Sequence, residues 1–462
     1  MSKAGLVACL MCLGVPLPSG AAEPDEGALA REIYAQLVEI NTTDSVGDNT
    51  AAAEAMAKRL REAGFPEDDL KLIVPHERKG NLVARLHGTG KRKPILLLAH
   101  LDVVEARPED WSVDPFRFLE KDGYYYGRGS SDDKAMAALF VANLIRLRRE
   151  GYRPDRDLIV ALTSDEEGGD WNGADRLVRD HRPLVDAAYG LNEGGRGQIK
   201  DGRKLANTVG TSEKVYLSFR LEVKNAGGHS SLPRKDNAIY ELAAALGRLA
   251  SYSFPVRLTD TTRVYFERLA ASQPQALAAD MRAVAKAPPD AAAVARLSEV
   301  PLYNSTLRTT CVATRLDGGH ADNALPQAAR AVVNCRMHPS DPPDWVRERL
   351  LEAVADPRVA VTPIGSPHPS PESPMNPELF GAVEKLTEAM WPGVPVLPTM
   401  GTGATDSLYF RGAGIPMYGV SGIFGDVDDV RAHGKDERIL VQSFYAGAEY
   451  LYRLVKTLAS RR

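Results

Sequence analysis

The stretch Pro94-Ile-Leu-Leu-Leu-Ala-His-Leu-Asp-Val-Val104 limits what this chain can fold into more than any other. Residues 95–99 are apolar without interruption. The run has the length of a strand and is too evenly apolar for one with a wet face. Such a strand belongs inside a mostly parallel sheet covered on both sides. It releases His100 and Asp102 at its carboxyl end, where open α/β sheets place their ligands. A His two residues before an Asp suits a metal site, with one ring nitrogen on the metal and a carboxylate fixing the other nitrogen's proton. The same pair can equally do no more than satisfy loop backbone.

A chain of 462 residues is too long for one core, so two domains are expected. Leu29, Ile33, Leu37 and Ile40 recur at helical spacing, and a second helix runs from about 50 to Gly64. A strand over 81–86 precedes the organising one, and apolar strands over 157–163 and, more weakly, 186–191 follow it. Helical stretches separate them, which predicts an α/β domain. At Glu213 the pattern changes. Val215, Leu217, Phe219, Leu221 and Val223 alternate with Tyr216, Ser218, Arg220, Glu222 and Lys224, the mark of a sheet with one wet face.

A helix through Ile239, Leu242, Leu246 and Leu249 comes next, then strands near 304–315 and 328–338, a helix near 342–354 and a strand near 357–363. That order is the split βαβ, ferredoxin-like one, with the Ala-rich 272–297 as added helix. After Gly365 come loops, a strand over 415–420 and a closing helix from about Arg438. The expected α/β fold is therefore a mostly parallel-sheet catalytic domain (23–212 and 365–462) carrying an inserted ferredoxin-like α+β domain (213–364).

Lys3 stands before an apolar run over 4–17 that Pro16 interrupts, and small residues occupy 19–22. Residues 1–22 read as a signal peptide, so the protein is expected to be exported, periplasmic or secreted, with no membrane span in the mature chain. Cleavage would remove Cys9 and Cys12 and leave Cys311 and Cys335. That pair could join in an oxidising compartment, but two buried free thiols is the plainer reading. A net charge of -4 without a basic stripe speaks against nucleic acid and membrane-surface partners.

Several acidic residues share the edge that His100 marks. Glu166 and Glu167 follow the second apolar strand, and Glu193 follows the third in Leu191-Asn-Glu-Gly-Gly195. The loop Tyr126-Gly-Arg-Gly-Ser-Ser-Asp-Asp-Lys134 puts Asp132 at the start of a helix whose apolar face includes Met136, Leu139, Phe140 and Leu144. Alone, Asp132 would pass for an N-cap and Glu166-Glu167 for a solvated turn. Together these carboxylates would crowd one sheet edge, which is costly without cations to neutralise them.

His100-Leu-Asp102, Gly127-Arg-Gly-Ser-Ser-Asp-Asp-Lys134, Asp165-Glu-Glu-Gly168 and Ala432-His-Gly-Lys-Asp-Glu-Arg438 occur in that order over nearly the whole mature chain. In these motifs the chain resembles the di-zinc metallopeptidase family of glutamate carboxypeptidase, aminoacylase, acetylornithine deacetylase, succinyl-diaminopimelate desuccinylase and carnosine dipeptidase. The resemblance implies a catalytic domain with two metal ions, zinc first and manganese or cobalt as alternatives, and an inserted lid that often forms a homodimer.

Carried over by motif, His100 and Glu193 hold one metal, Glu167 and His433 the other, and Asp132 bridges them. Each metal keeps an open position, as hydrolysis requires. Glu166 becomes the general base, and Asp102 the carboxylate beside His100. His229, in Asn225-Ala-Gly-Gly-His-Ser231, matches the lid histidine that steadies the oxyanion, usually across the dimer. Asn323 and Arg336 match lid positions that grip substrate, the Arg fork suiting an α-carboxylate. Gly403 and Thr405 would line the pocket.

The implied reaction is hydrolysis of an amide next to a free α-carboxylate in a dipeptide, a peptide C-terminus or an N-acyl amino acid. Asn192-Glu-Gly-Gly195 and the leader favour peptidases and N-acyl-amino-acid hydrolases over biosynthetic deacylases. A non-catalytic binding protein of the same fold would lack the base or a ligand, and here all are present.

Overall fold

In the computed structural model, which describes residues 26–460, the apolar run becomes the fully buried strand Ile95–His100. The predicted leader over 1–22 lies outside the described residues. Ile95–His100 pairs in parallel with Leu158–Thr163 on one side and Tyr189–Asn192 on the other, and the latter pairs in parallel with Met417–Gly419. Antiparallel strands extend this centre, with Asn81–Leu86 beyond Leu158–Thr163 and the long Arg203–Glu213 beside Met417–Gly419. Among the described residues the sheet has ten strands.

Period-two alternation divides the central strand between two cores. Ile95, Leu97 and Ala99 face helices Glu26–Glu39, Asn49–Glu62, Lys134–Arg149 and Val441–Ala459 through Ile33, Met56, Leu139 and Leu451. Leu96 and Leu98 face the other way, onto Leu177 of Gly173–Asp180 and Phe410 of Ser407–Gly412. Both faces are covered, as the unbroken apolar run requires. Among the described residues no helix is long and apolar enough to cross a membrane.

The second sheet is antiparallel throughout, in the order Thr310–Gly318, Ala328–Met337, Val215–Lys224, Ala360–Ile364. Val215, Leu217, Phe219, Leu221 and Val223 pack on Leu242 and Leu249 of Ala238–Ala250 and on Val346 and Leu350 of Pro343–Val354. This is the ferredoxin-like unit that the alternation predicts.

The ferredoxin-like unit departs from the sequence reading in detail. The strand expected from 304 begins at Thr310, because Pro301 opens a short helix, Pro301–Leu307. Cys311 and Cys335 are not free thiols. The register sets them opposite each other with Cα atoms 4.1 Å apart, and they form a disulfide.

The added helix is four helices, Asp260–Leu269, Gln275–Val284, Ala291–Ser298 and Pro301–Leu307, around Phe266, Met281 and Leu297. They dock on the large sheet. Arg268 donates to Glu384 (2.8 Å) and to the Val396 carbonyl (2.9 Å), and the Thr211 and Thr261 hydroxyls meet at 2.6 Å.

Candidate metal centre

Three strand ends and two loops converge at the carboxyl edge of the large sheet. His100 Nε2 lies 3.0 Å from Asp132 Oδ1 and 3.8 Å from Glu193 Oε1. His433 Nε2 lies 3.1 Å from Asp132 Oδ2 and 2.9 Å from Glu167 Oε1. Asp132 thus turns one carboxylate oxygen to each imidazole. Ligand atoms of His100, Asp132 and Glu167 fall within 4.8 Å of one another, as do those of His100, Glu166 and Glu193. Glu166 therefore stands as near His100 and Glu193 as a ligand would.

Backbone contacts fix these side chains. The His100 Nδ1 nitrogen bonds to the Asp102 backbone carbonyl (3.0 Å), while the Asp102 carboxylate stands 3.6 Å off. That carboxylate accepts the amides of Glu166 (3.1 Å) and Glu167 (2.9 Å) instead. Asp102 therefore orients the imidazole through its main chain and holds the acidic loop through its side chain. The turn into that loop places Asp165 at φ 59°, and Lys79 braces its carboxylate at 2.6 Å. Asp132 is not a helix cap. Asp133 takes the N-cap position, without a side-chain capping bond.

Sequence reasoning missed Glu437. Its buried carboxylate accepts from Arg128 (2.7 Å), the amides of Gly129 (2.9 Å), Ser131 (2.7 Å) and Asp132 (3.1 Å), and the Ser131 hydroxyl (2.8 Å). One carboxylate so ties the loop that presents Asp132 to the segment that presents His433. Only its place in the motif after His433 could have flagged it.

The sequence profile of Peptidase family M20/M25/M40 matches residues 96–457. The chain belongs to this family. It is similar to the N-fatty-acyl-amino acid synthase/hydrolase PM20D1 of Xenopus tropicalis, 31% identical over 88% of this chain and 81% of that protein. Aminoacylase-1B of Rattus norvegicus is 26% identical over 95% and 97%. In fold the chain matches the M20 metallo-carboxypeptidase Sso-CP2 of Sulfolobus solfataricus (TM-score 0.68, 16% identity, 93% of this chain and 99% of that one). It also matches Bacillus subtilis YXEP, described as a dinuclear metal binding peptidase (TM-score 0.59, 13% identity, 94% and 98%).

The electrostatics of this M20 hydrolase fit a metal site. Burial, reinforced by neighbouring carboxylates, pushes the Glu166 and Glu193 carboxyls well up. Burial would also raise Asp132, yet hydrogen bonds from His100 and His433 hold it low. His433 is pushed up to about 10 by hydrogen bonds to Asp132 and Glu167. The cluster crowds carboxylates around two imidazoles, and imidazole nitrogens and carboxylate oxygens are donors that zinc accepts.

A cavity of about 450 Å³ opens from Asp132 and Glu193. Met136, Met400 and Phe424 line it, together with Tyr265 and Leu302 from the added helices. Gly403 and Thr405, with Glu193, line a smaller cavity of about 140 Å³, where Thr405 donates to Glu213 at 3.0 Å. The other expected residues stand elsewhere. His229 belongs to a short ladder of Gly228–His229 with Ala324–Leu325, and Asn323 precedes that ladder, its carbonyl accepting the Ser230 amide (3.0 Å). Arg336 stacks over the Tyr216 ring at 4.9 Å on the ferredoxin-like sheet. Among the described residues, no hydrogen bond or ion pair joins these three to the cluster, and none lines either cavity.

Proposed function

We propose that this M20 hydrolase cleaves the amide bond of an N-acyl amino acid, using two divalent metals, zinc first, held by His100 and Glu193, by Glu167 and His433, and by Asp132 between them. The observation that carries this reading is the Asp132 carboxylate with one oxygen toward each imidazole. Such a metal pair polarises a carbonyl and lowers the pKa of a water. Glu166 is the general base. Burial makes its carboxylate a ready proton acceptor, and it passes the proton on to the leaving nitrogen.

Met136, Met400, Phe424, Tyr265 and Leu302 give the larger cavity, which polar residues also line, an apolar wall that suits an acyl chain, and the PM20D1 relative acts on N-fatty-acyl amino acids by its name. Residues 213–364 serve as a lid. Its strand Thr310–Gly318 leaves one edge free, with Val312 and Leu316 exposed, and a second copy pairing there would form a homodimer. Within it, His229, Asn323 and Arg336 would serve the partner's site. The leader pattern and the Cys311–Cys335 disulfide support export to an oxidising compartment.

Turnover of N-acyl amino acids of graded acyl length, set against dipeptides, tests this reading with metal-loaded enzyme. Chelator-sensitive cleavage of the acyl series is expected. Cleavage of dipeptides alone would overturn the substrate assignment.

A further inference from the structure

Three arginines line the larger cavity, Arg196, Arg431 and Arg438. Two of them are answered by one acid. Arg431 and Arg438 each reach Asp429 at 2.6 Å. Arg196 is different. Among the described residues no carboxylate or carbonyl meets its guanidinium, and no neighbouring charge offsets the burial that pushes its pKa down. Its side chain is nevertheless open to solvent, as a group projecting into a cavity must be.

The root of this side chain is fixed. The Arg196 amide donates to Thr208 Oγ1 (2.9 Å), and the Thr208 amide (3.0 Å) and hydroxyl (2.9 Å) both donate to the Arg196 carbonyl. Thr208 sits in the strand Arg203–Glu213 and lines the same cavity. Only Gly194 and Gly195 separate Arg196 from Glu193. At Gly195 a Cβ would come within 2.0 Å of the Gly419 carbonyl oxygen, so this link runs against the neighbouring strand with no room for a side chain.

A solvent-facing guanidinium with no acid of its own is free to pair with an anion that enters the cavity. Of the acids that line this cavity, Glu193 and Asp132 are committed to metal in the function proposed above, Asp429 is shared by Arg431 and Arg438, Asp426 accepts the Asp428 amide (2.9 Å) and Asp133 is buried. A ligand carboxylate would supply that anion, since a guanidinium fork fits a carboxylate through two parallel hydrogen bonds.

We propose that Arg196 binds the carboxylate of the amino-acid half of the substrate, from within the same chain that holds the metals. This rests on the N-acyl-amino-acid reading and changes its geometry. The sequence assigns that anchor to Arg336 of the lid, and Arg336 is stacked on Tyr216.

The test pairs each N-acyl amino acid with its carboxamide, on metal-loaded wild type, Arg196→Ala and Arg196→Lys. Wild type should prefer the acid by about thirtyfold or more in kcat/KM, mostly through KM. Arg196→Ala should erase that preference, and Arg196→Lys should restore part of it. Calorimetric binding of the same pairs to the Glu166→Gln protein gives the preference without turnover. Equal loss for acid and amide in Arg196→Ala would mean a structural role and overturn the proposal. So would a preference that survives the substitution, or one satisfied by a carboxylate at the far end of the acyl group. If no compound is hydrolysed while acid-selective binding through Arg196 is seen, the hydrolase reading fails and the anchor stands. Wild type binding acid and amide alike removes the anchor whatever the turnover.

Discussion

At the edge of the large sheet, Glu437 accepts five hydrogen bonds from one ligand loop and Asp102 takes both amides of another. On the ferredoxin-like unit, His229 sits exposed on a two-residue ladder, its ring bonded to Ser231 two positions away. The first region holds its groups in place through hydrogen bonds of its own. The second leaves its groups free to be placed by closure or by another subunit. In the function proposed above the chemistry, with the Arg196 anchor, is pre-built and the lid's share of the grip on substrate is not, which suits a hydrolase that must admit and release ligand.

The comparison breaks first at Glu166. Glu166→Gln should retain both metals and lose about a hundredfold to ten-thousandfold in kcat, the scale of a general base. If the lid serves the partner's site, mixing this variant with His229→Ala chains should recover activity. No recovery after verified subunit exchange would make each chain complete by itself.

The disulfide sharpens the contrast from the lid side. Cys335→Ser opens a link spanning 24 residues, and should lower the stability of the ferredoxin-like unit by about 3 kcal/mol. Denaturant melts should show this while metal content stays unchanged.

Glu437→Gln probes the pre-built side. It keeps the shape of the side chain but puts an amide donor where five donors converge, and should weaken metal affinity by about tenfold to a hundredfold. Competition with a chelator dye measures it without turnover.

The smallest effect is a pH dependence confined to metal-free protein. His433 is raised from 6.5 to about 10 in the folded state, so its contribution is fully present below pH 6.5 and fades as pH rises through about 10. The side chain is half-exposed, so solvent screening keeps the contribution small. Thermal melts of chelator-treated protein should fall over that range, and those of metal-loaded protein should not.

The residues that gather at the sheet edge were legible because each is an ionisable residue at a strand end or in a motif. The second, antiparallel sheet was legible because strict alternation from Val215 to Val223 has few other meanings. Arg203–Glu213 escaped because Asn207, Thr208, Thr211 and Ser212 break every apolar pattern, yet the strand is buried over most of its length. Its polar side chains find partners that no local pattern shows, such as Thr387 and Tyr450 for Asn207 and Thr261 for Thr211. The Cys311–Cys335 bond escaped because pairing depends on strand register, which turns on where the strand begins. Glu437 escaped because its work is done on backbone amides. Arg196 stood out only once Arg431 and Arg438 were seen to share Asp429.

Anomalous diffraction from crystals of the zinc-loaded protein tests the central claim most directly, because it counts metals and places each against its ligands. Two peaks are predicted, about 3.5–4 Å apart, with Asp132 between them, His100 and Glu193 on one and Glu167 and His433 on the other. A single peak, or a pair held without Asp132, would contradict it.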